Sequence, residues 1–331
     1  MNLRSKIIPV VVTLVILYVA ATQLNWGALL STLQKADVSK IGLAMVVWLF
    51  LISFKSLKWQ QIVGSVEGTI GFFESAMVLF IGLFVSVITP GRAGDFVRAL
   101  YLKDRLDMGR GVLAVVIDRA IDILSLLIFA GIGIALLAQS GGISFITPLN
   151  VAMLIVGSCL ALYLFFNRRI MRKWVWPLVR RILPSSLHSL IQKYGNQFYD
   201  AVPTLFRHVD LIFIGVICST IAWLLTITFG WTILQALGYH LDWTAALMVI
   251  PILALVEIIP VGILGLGTRE IAAIIVLGAF GVSPEGAVAF SLTYFALGYI
   301  PSFIIGAICF NRNPIPLPQG FGGIFSSLKG K

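Results

Sequence analysis

Charge is what this chain has least of. Only 11% of its 331 residues are Asp, Glu, Lys or Arg, while 59% are hydrophobic and the mean hydropathy is +1.00. Soluble domains carry about a quarter charged residues, so a water-soluble globule is excluded and an integral membrane protein is expected. Cysteine is almost as scarce. Cys159, Cys218 and Cys309 all fall inside apolar runs without paired spacing, which excludes a disulfide framework or a cysteine metal site. The histidines His188, His208 and His240 are scattered over connecting segments, so no metal ligand set is legible and no cofactor is expected. No G-x-x-x-x-G-K-[ST] stretch occurs, which argues against direct ATP use by this chain.

The charge that is present is mainly basic: 24 Lys and Arg against 14 Asp and Glu, a net +10. Those residues lie mostly between apolar runs, the arrangement that orients a protein in a membrane, and no nucleic-acid partner is expected. Eight hydrophobic passages can be read: 6–24, 41–57, 72–89, 112–138, 145–166, 211–236, 245–281 and 285–309. The first has Arg4 and Lys6 at its start and runs through Leu24, which is long for a cleaved signal; an uncleaved helix is expected. Lys55, Lys58, Lys103, Arg105 and Arg110 read as loop charges on the same face.

The segment 167–210 carries Arg168, Arg169, Arg172, Lys173, Arg180, Arg181, Lys193 and Arg207 against only Asp200 and Asp210, so it reads as cytoplasmic. Within it, Leu187, Leu190, Ile191, Tyr194, Phe198, Val202 and Phe206 recur at helical spacing, which predicts an amphipathic helix in the inner membrane interface, with a soluble connector helix as the alternative. The loops 139–144 and 237–244 are nearly uncharged and read as external. The count closes with six full transmembrane helices and two re-entrant broken hairpins, both termini cytoplasmic, in the cell membrane. Residues 1–311 then form one transmembrane domain, and the Pro/Gly-rich 312–331 a flexible tail.

Two of the passages are broken in similar words. "TPGRAGDFVRA" occupies 89–99 and "IPVGILGLGTRE" 259–270, with Pro90 and Pro260 standing 170 positions apart. The same offset carries 41–57 into the sixth passage and 112–138 onto the eighth, so 6–138 and 145–309 read as inverted repeats of one all-α unit. Transporters are often built this way, with their binding site at the corresponding breaks. Irregular backbone at membrane depth survives only where protein buries it or where it lines a cavity. The two breaks are therefore expected to meet near the midplane, with Gly91 close to Gly265.

Charges gather at these breaks. Arg92, Asp95 and Arg98 accompany Gly91 and Gly94 in the first, and Glu257, Arg269 and Glu270 flank Pro260, Gly262, Gly265 and Gly267 in the second. "DRAID" adds Asp118, Arg119 and Asp122, the two aspartates one turn apart on a helix. An ionised side chain at the bilayer centre costs about 2.5–3.5 kcal/mol on insertion scales, so these residues mark a substrate path or a buried lock. Arginine holds phosphate or carboxylate bidentately, and a helix restarting after a break adds N–H groups. An anionic head group is the expected ligand.

The three motifs, in this order over roughly residues 5–310, resemble the flippase-like transmembrane family, which includes the membrane half of lysylphosphatidylglycerol synthases. The resemblance implies a multi-helix bundle associated with moving lipids between leaflets. The synthases carry an added aminoacyl-transferase domain with no counterpart here, so that chemistry is not carried over. The expected function is a flippase for an anionic or aminoacylated phospholipid or a polyprenyl-phosphate carrier. Membrane lipids are the expected partners, with a cell-envelope glycosyltransferase or lipid synthase beside them. The alternatives are an intramembrane transferase using Asp118 and Asp122, and an accessory scaffold for an envelope enzyme.

Overall fold

A computed structural model describes residues 26–88, 94–139, 148–177, 181, 188–258 and 267–313. The first passage, Ser140, and the segment after 313 lie outside these residues. Among the described residues every regular element is a helix. In chain order they are α1 (Trp26–Gln34), α2 (Val38–Ser65), α3 (Phe72–Ile88), α4 (Val97–Leu100) and α5 (Met108–Gln139). They continue with α6 (Pro148–Phe166) and α7 (Arg168–Ile170), which runs into a π-helical turn at Met171–Val175. The last five are α8 (His188–Arg207), α9 (Val209–Ala236), α10 (Trp243–Ile258), α11 (Thr268–Gly278) and α12 (Pro284–Arg312).

Helices α2, α5, α9 and α12 are long and apolar enough to cross a membrane. A fifth span forms if α6 and the helix after it count as one, bent by 71°. The chain is thus an all-α membrane protein. Its helices match the expected passages loosely rather than one for one. Passage 245–281 is two separate helices, and α1 adds a short helix that periodicity did not predict. The bend after α6 has a local cause. Asn167 is extended (φ −81°, ψ 99°), and its side chain accepts the Arg169 and Ile170 N–H groups at 3.1 and 3.3 Å, capping the next helix.

The chain forms two compact units. The first comprises Met1–Ile52, Ile123–Ile155 and Thr220–Pro301; the second comprises Ser53–Asp122, Val156–Ser219 and Ser302–Lys331. Each draws on both sequence halves. Each also contains one broken passage with the same build: a shorter apolar helix, a Pro/Gly break, a short helix, then a long one. In the second unit these are α3, α4 and the start of α5, through Asp122; in the first they are α10, α11 and α12 as far as Pro301. At 17 and 16 residues, α3 and α10 reach only about 25 Å, short of the roughly 30 Å hydrocarbon core.

The core of the second unit joins Trp59, Ile62, Val63 and Val66 from the end of α2 to Leu113 and Ala114 of α5. Phe198, Ala201 and Leu205 of α8 complete it. The middle of the apolar face of α8 is thus buried in protein. Gly109 permits the approach, because a Cβ there would strike the Gln197–Phe198 backbone. Phe198 stacks on Phe166 at 6.0 Å, Tyr199 donates to the Phe165 carbonyl at 2.9 Å, and Arg168 pairs with Asp200 at 2.7 Å. Phe206, at the helix end, is 79% exposed.

Candidate functional site

The break in the second unit closes by backbone contact. A Cβ on Gly94 would collide with the Val85 and Ser86 main chain of α3, so only glycine lets the chain return this tightly. The turn delivers Asp95 and, on the single turn of α4, Arg98. Both are buried, Arg98 completely. Its Nη2 donates to Asp118 Oδ2 on α5 at 2.8 Å, and its Cζ lies 4.3 Å from the centroid of the Trp59 ring. Arg119 Nη2 pairs with Asp95 at 2.6 Å, while its Nη1 stands 4.0 Å from Asp122. The Arg119–Asp122 pair, three residues apart on one helix, is therefore the weaker of its two contacts.

Lys58 is expected from the loop pattern to be a solvated charge, and the structure corrects this. It is 2% exposed within α2, with its ammonium 2.9 Å from Asp118 and 2.5 Å from Asp122. The hydrophobic run ends at Phe54, but Trp59, Ile62, Val63 and Val66 continue at helical spacing, and that signal extends the helix past the lysine. Ser219 of α9 donates to Asp122 at 3.2 Å. Three cations thus face three carboxylates. Besides Asp118 Oδ1, which faces the Lys58 ammonium, four shielded atoms have no hydrogen-bond partner among the described residues: Trp59 Nε1, Ser86 Oγ, Arg98 Nη1 and Arg119 Nε.

In the first unit, Gly267 takes φ +89°, a conformation that favours glycine, and starts α11. Its N–H donates to Glu270 Oε2 at 2.5 Å, so the third residue of the helix caps its own N-terminus. Arg269, 1% exposed, donates to Ser291 Oγ at 2.7 Å and lies 3.3 Å from both Glu257 and Glu270. Ser291 donates onward to Glu270 at 2.6 Å, and the Tyr299 hydroxyl to Glu257 at 2.7 Å. Phe295 sits 5.4 Å from the Arg269 guanidinium carbon. Sequence reasoning misses Ser291 and Tyr299, because one hydroxyl on a long helix carries no positional signal.

Ten of the fifteen expected site residues are therefore placed. Gly94, Asp95, Arg98, Asp118, Arg119 and Asp122 gather in one unit; Glu257, Gly267, Arg269 and Glu270 gather in the other. Gly91, Arg92, Pro260, Gly262 and Gly265 lie outside the described residues. Among the described residues no group of three His, Cys, Asp or Glu is arranged to hold a metal ion. Each cluster is built from cations paired with carboxylates.

The family profile described as Lysylphosphatidylglycerol synthase TM region matches residues 6–306. A UPF0104 membrane protein of Methanothermobacter thermautotrophicus is 22% identical, over 93% of this chain and 93% of its own. Another, of Methanocaldococcus jannaschii, is 22% identical over 92% of this chain and 94% of its own. The glycosyltransferase AglD of Haloferax volcanii is 28% identical over 34% of this chain and 19% of its own length.

Proposed function

Because the chain belongs to the lysylphosphatidylglycerol synthase TM region family, we propose that it moves lipids or lipid-linked head groups between leaflets. One observation carries the reading. Each unit places a fully buried arginine just after a Pro/Gly break in an apolar passage, Arg98 in one and Arg269 in the other, each held by carboxylates and an aromatic ring. Ionised groups are expensive in a bilayer and mark substrate or ion paths there. Guanidinium suits phosphate, and in the second unit three carboxylates balance the three cations. On this proposal the two broken passages, their prolines 170 positions apart in sequence, serve as re-entrant hairpins. The membrane lipid is an anionic or aminoacylated phospholipid or a polyprenyl-phosphate carrier.

The transferase alternative is less well supported. Lys58 stands within 2.9 Å of Asp118 and 2.5 Å of Asp122, where a divalent ion bridging the two carboxylates would have to sit. The local likeness to a glycosyltransferase supports an envelope glycosyltransferase or lipid synthase as a working partner. The test is movement of fluorescent phosphatidylglycerol between leaflets in liposomes, read by dithionite quenching. Wild-type protein should move the lipid. Arg98→Ala and Arg269→Ala should abolish movement while Arg→Lys variants keep a fraction of it. Alanine variants that stay folded and move lipid at the wild-type rate would refute the assignment.

A further inference from the structure

The second unit holds hydrogen-bonding capacity that its own side chains leave unused. Arg98 Nη1, Arg119 Nε, Trp59 Nε1 and Ser86 Oγ are shielded from solvent and lack a hydrogen-bond partner among the described residues. Buried polar groups are ordinarily satisfied, and each one left over is costly. The shortfall is one-sided. Three of the four atoms are N–H donors that cannot accept, and the fourth is a hydroxyl able to donate. Asp118 Oδ1, a buried acceptor, already faces the Lys58 ammonium at 2.9 Å. A water would bring donors as well as acceptors, whereas an oxyanion brings acceptors alone.

Two of these groups are in contact, and a third follows one helical turn along the neighbouring face. The Arg98 guanidinium lies against the Trp59 ring at 4.3 Å. Stacking of this kind uses the face of the guanidinium and leaves its in-plane N–H groups available. On the α3 side, a Cβ at Gly82 would stand 2.9 Å from Arg98 Cγ and Cδ, so the arginine stem lies directly on that face. Ser86 follows Gly82 by four residues and shares the face one turn further along. Arg98 and Ser86 are 0% and 8% exposed. Arg98 can also turn toward a guest without stranding its partner, because Lys58 contacts Asp118 independently.

We propose that Arg98, Ser86 and Trp59 form a subsite for one oxyanion, a phosphate group on a lipid, with Lys58 keeping Asp118 paired while Arg98 engages it. The subsite rests on the transport reading above and names the atoms that would take the head group. Its test is direct binding to the full chain in neutral detergent. The probes are dihexanoyl phosphatidylglycerol, inorganic phosphate and uncharged dihexanoylglycerol. The phosphorylated lipid should bind, and Ser86→Ala and Arg98→Lys should each weaken it about tenfold. Dihexanoylglycerol should not bind.

Ser86→Ala also separates a binding role from a structural one. Without ligand it removes an unsatisfied buried hydroxyl, so its unfolding temperature should hold or rise while affinity falls. Wild-type affinity in both variants would overturn the subsite. Inorganic phosphate binding as tightly as the lipid would overturn its assignment to a head group. If the wild-type protein binds the lipid, the variants lose it, and no lipid moves in liposomes, the transport reading fails and the subsite stands. If lipid moves and neither variant alters binding, the subsite fails and the transport reading stands.

Discussion

At the scale of single residues, Lys58 has the sharpest energetic role. Removing one partner of a buried ion pair leaves an uncompensated charge, a loss of about 3–5 kcal/mol. Lys58 serves two carboxylates, so Lys58→Met should lower the unfolding temperature strongly, read by fluorescence-detected gel filtration after heating. Adding Asp122→Asn should recover part of the loss, since one of the carboxylates that lost its closest cation is then gone. No recovery would mean that the pairs do not act as one network. Asp37 is the contrasting exposed case. Its carboxylate caps α2 through the Ser39 hydroxyl at 2.7 Å and the Ser39 and Lys40 N–H groups at 2.9 and 3.4 Å. The Ser39 hydroxyl, then the Lys40 N–H, hold its pKa below the usual carboxylate value. The stability this adds is present above pH about 4 and is lost as pH falls through the depressed value. Asp37→Asn should show a smaller fall in unfolding temperature on acidification than the wild type.

Among the elements, α8 separates the two accounts of its apolar face. Phe198 is 6% exposed and Phe206 is 79% exposed. Phe198→Ala should cost about 3–5 kcal/mol, while Phe206→Ala should fall within about 0.5 kcal/mol. Chemical denaturation in micelles measures both, and equal small effects would remove Phe198 from the core. The break helices give a second contrast. Gly94→Ala must displace the α3 backbone and should disturb Arg98, whereas Gly267→Ala meets backbone strain at φ +89°, a penalty of about 1–3 kcal/mol. The heptapeptide G-D-F-V-R-A-L shows how much of such an element is legible. Its glycine and arginine announce a break with a buried charge, but nothing in it says that the glycine touches α3 or that the arginine finds Asp118 twenty residues later.

For the whole molecule, orientation in the membrane is the claim that loop charge makes most strongly. Cysteine placed at position 173 should resist a membrane-impermeant thiol reagent in intact cells, while cysteine at 140 or 242 should react. Strong labelling at 173 alone would invert the assigned topology.

Membrane residence, helical class, the two broken passages and the arginines within them are all legible in the chain's own order. Bilayer solvation acts on each residue according to its local run, and a proline or glycine interrupts a helix wherever it stands. Pairing is a different kind of information. Lys58 meets Asp118 and Asp122 from sixty and sixty-four positions away, Ser219 meets Asp122 across ninety-seven, and Phe198 enters a core built by α2 and α5. Which helices become neighbours depends on the packing of whole faces. The same basic residue is therefore a solvated loop charge or a buried counter-ion according to contacts that no local pattern contains.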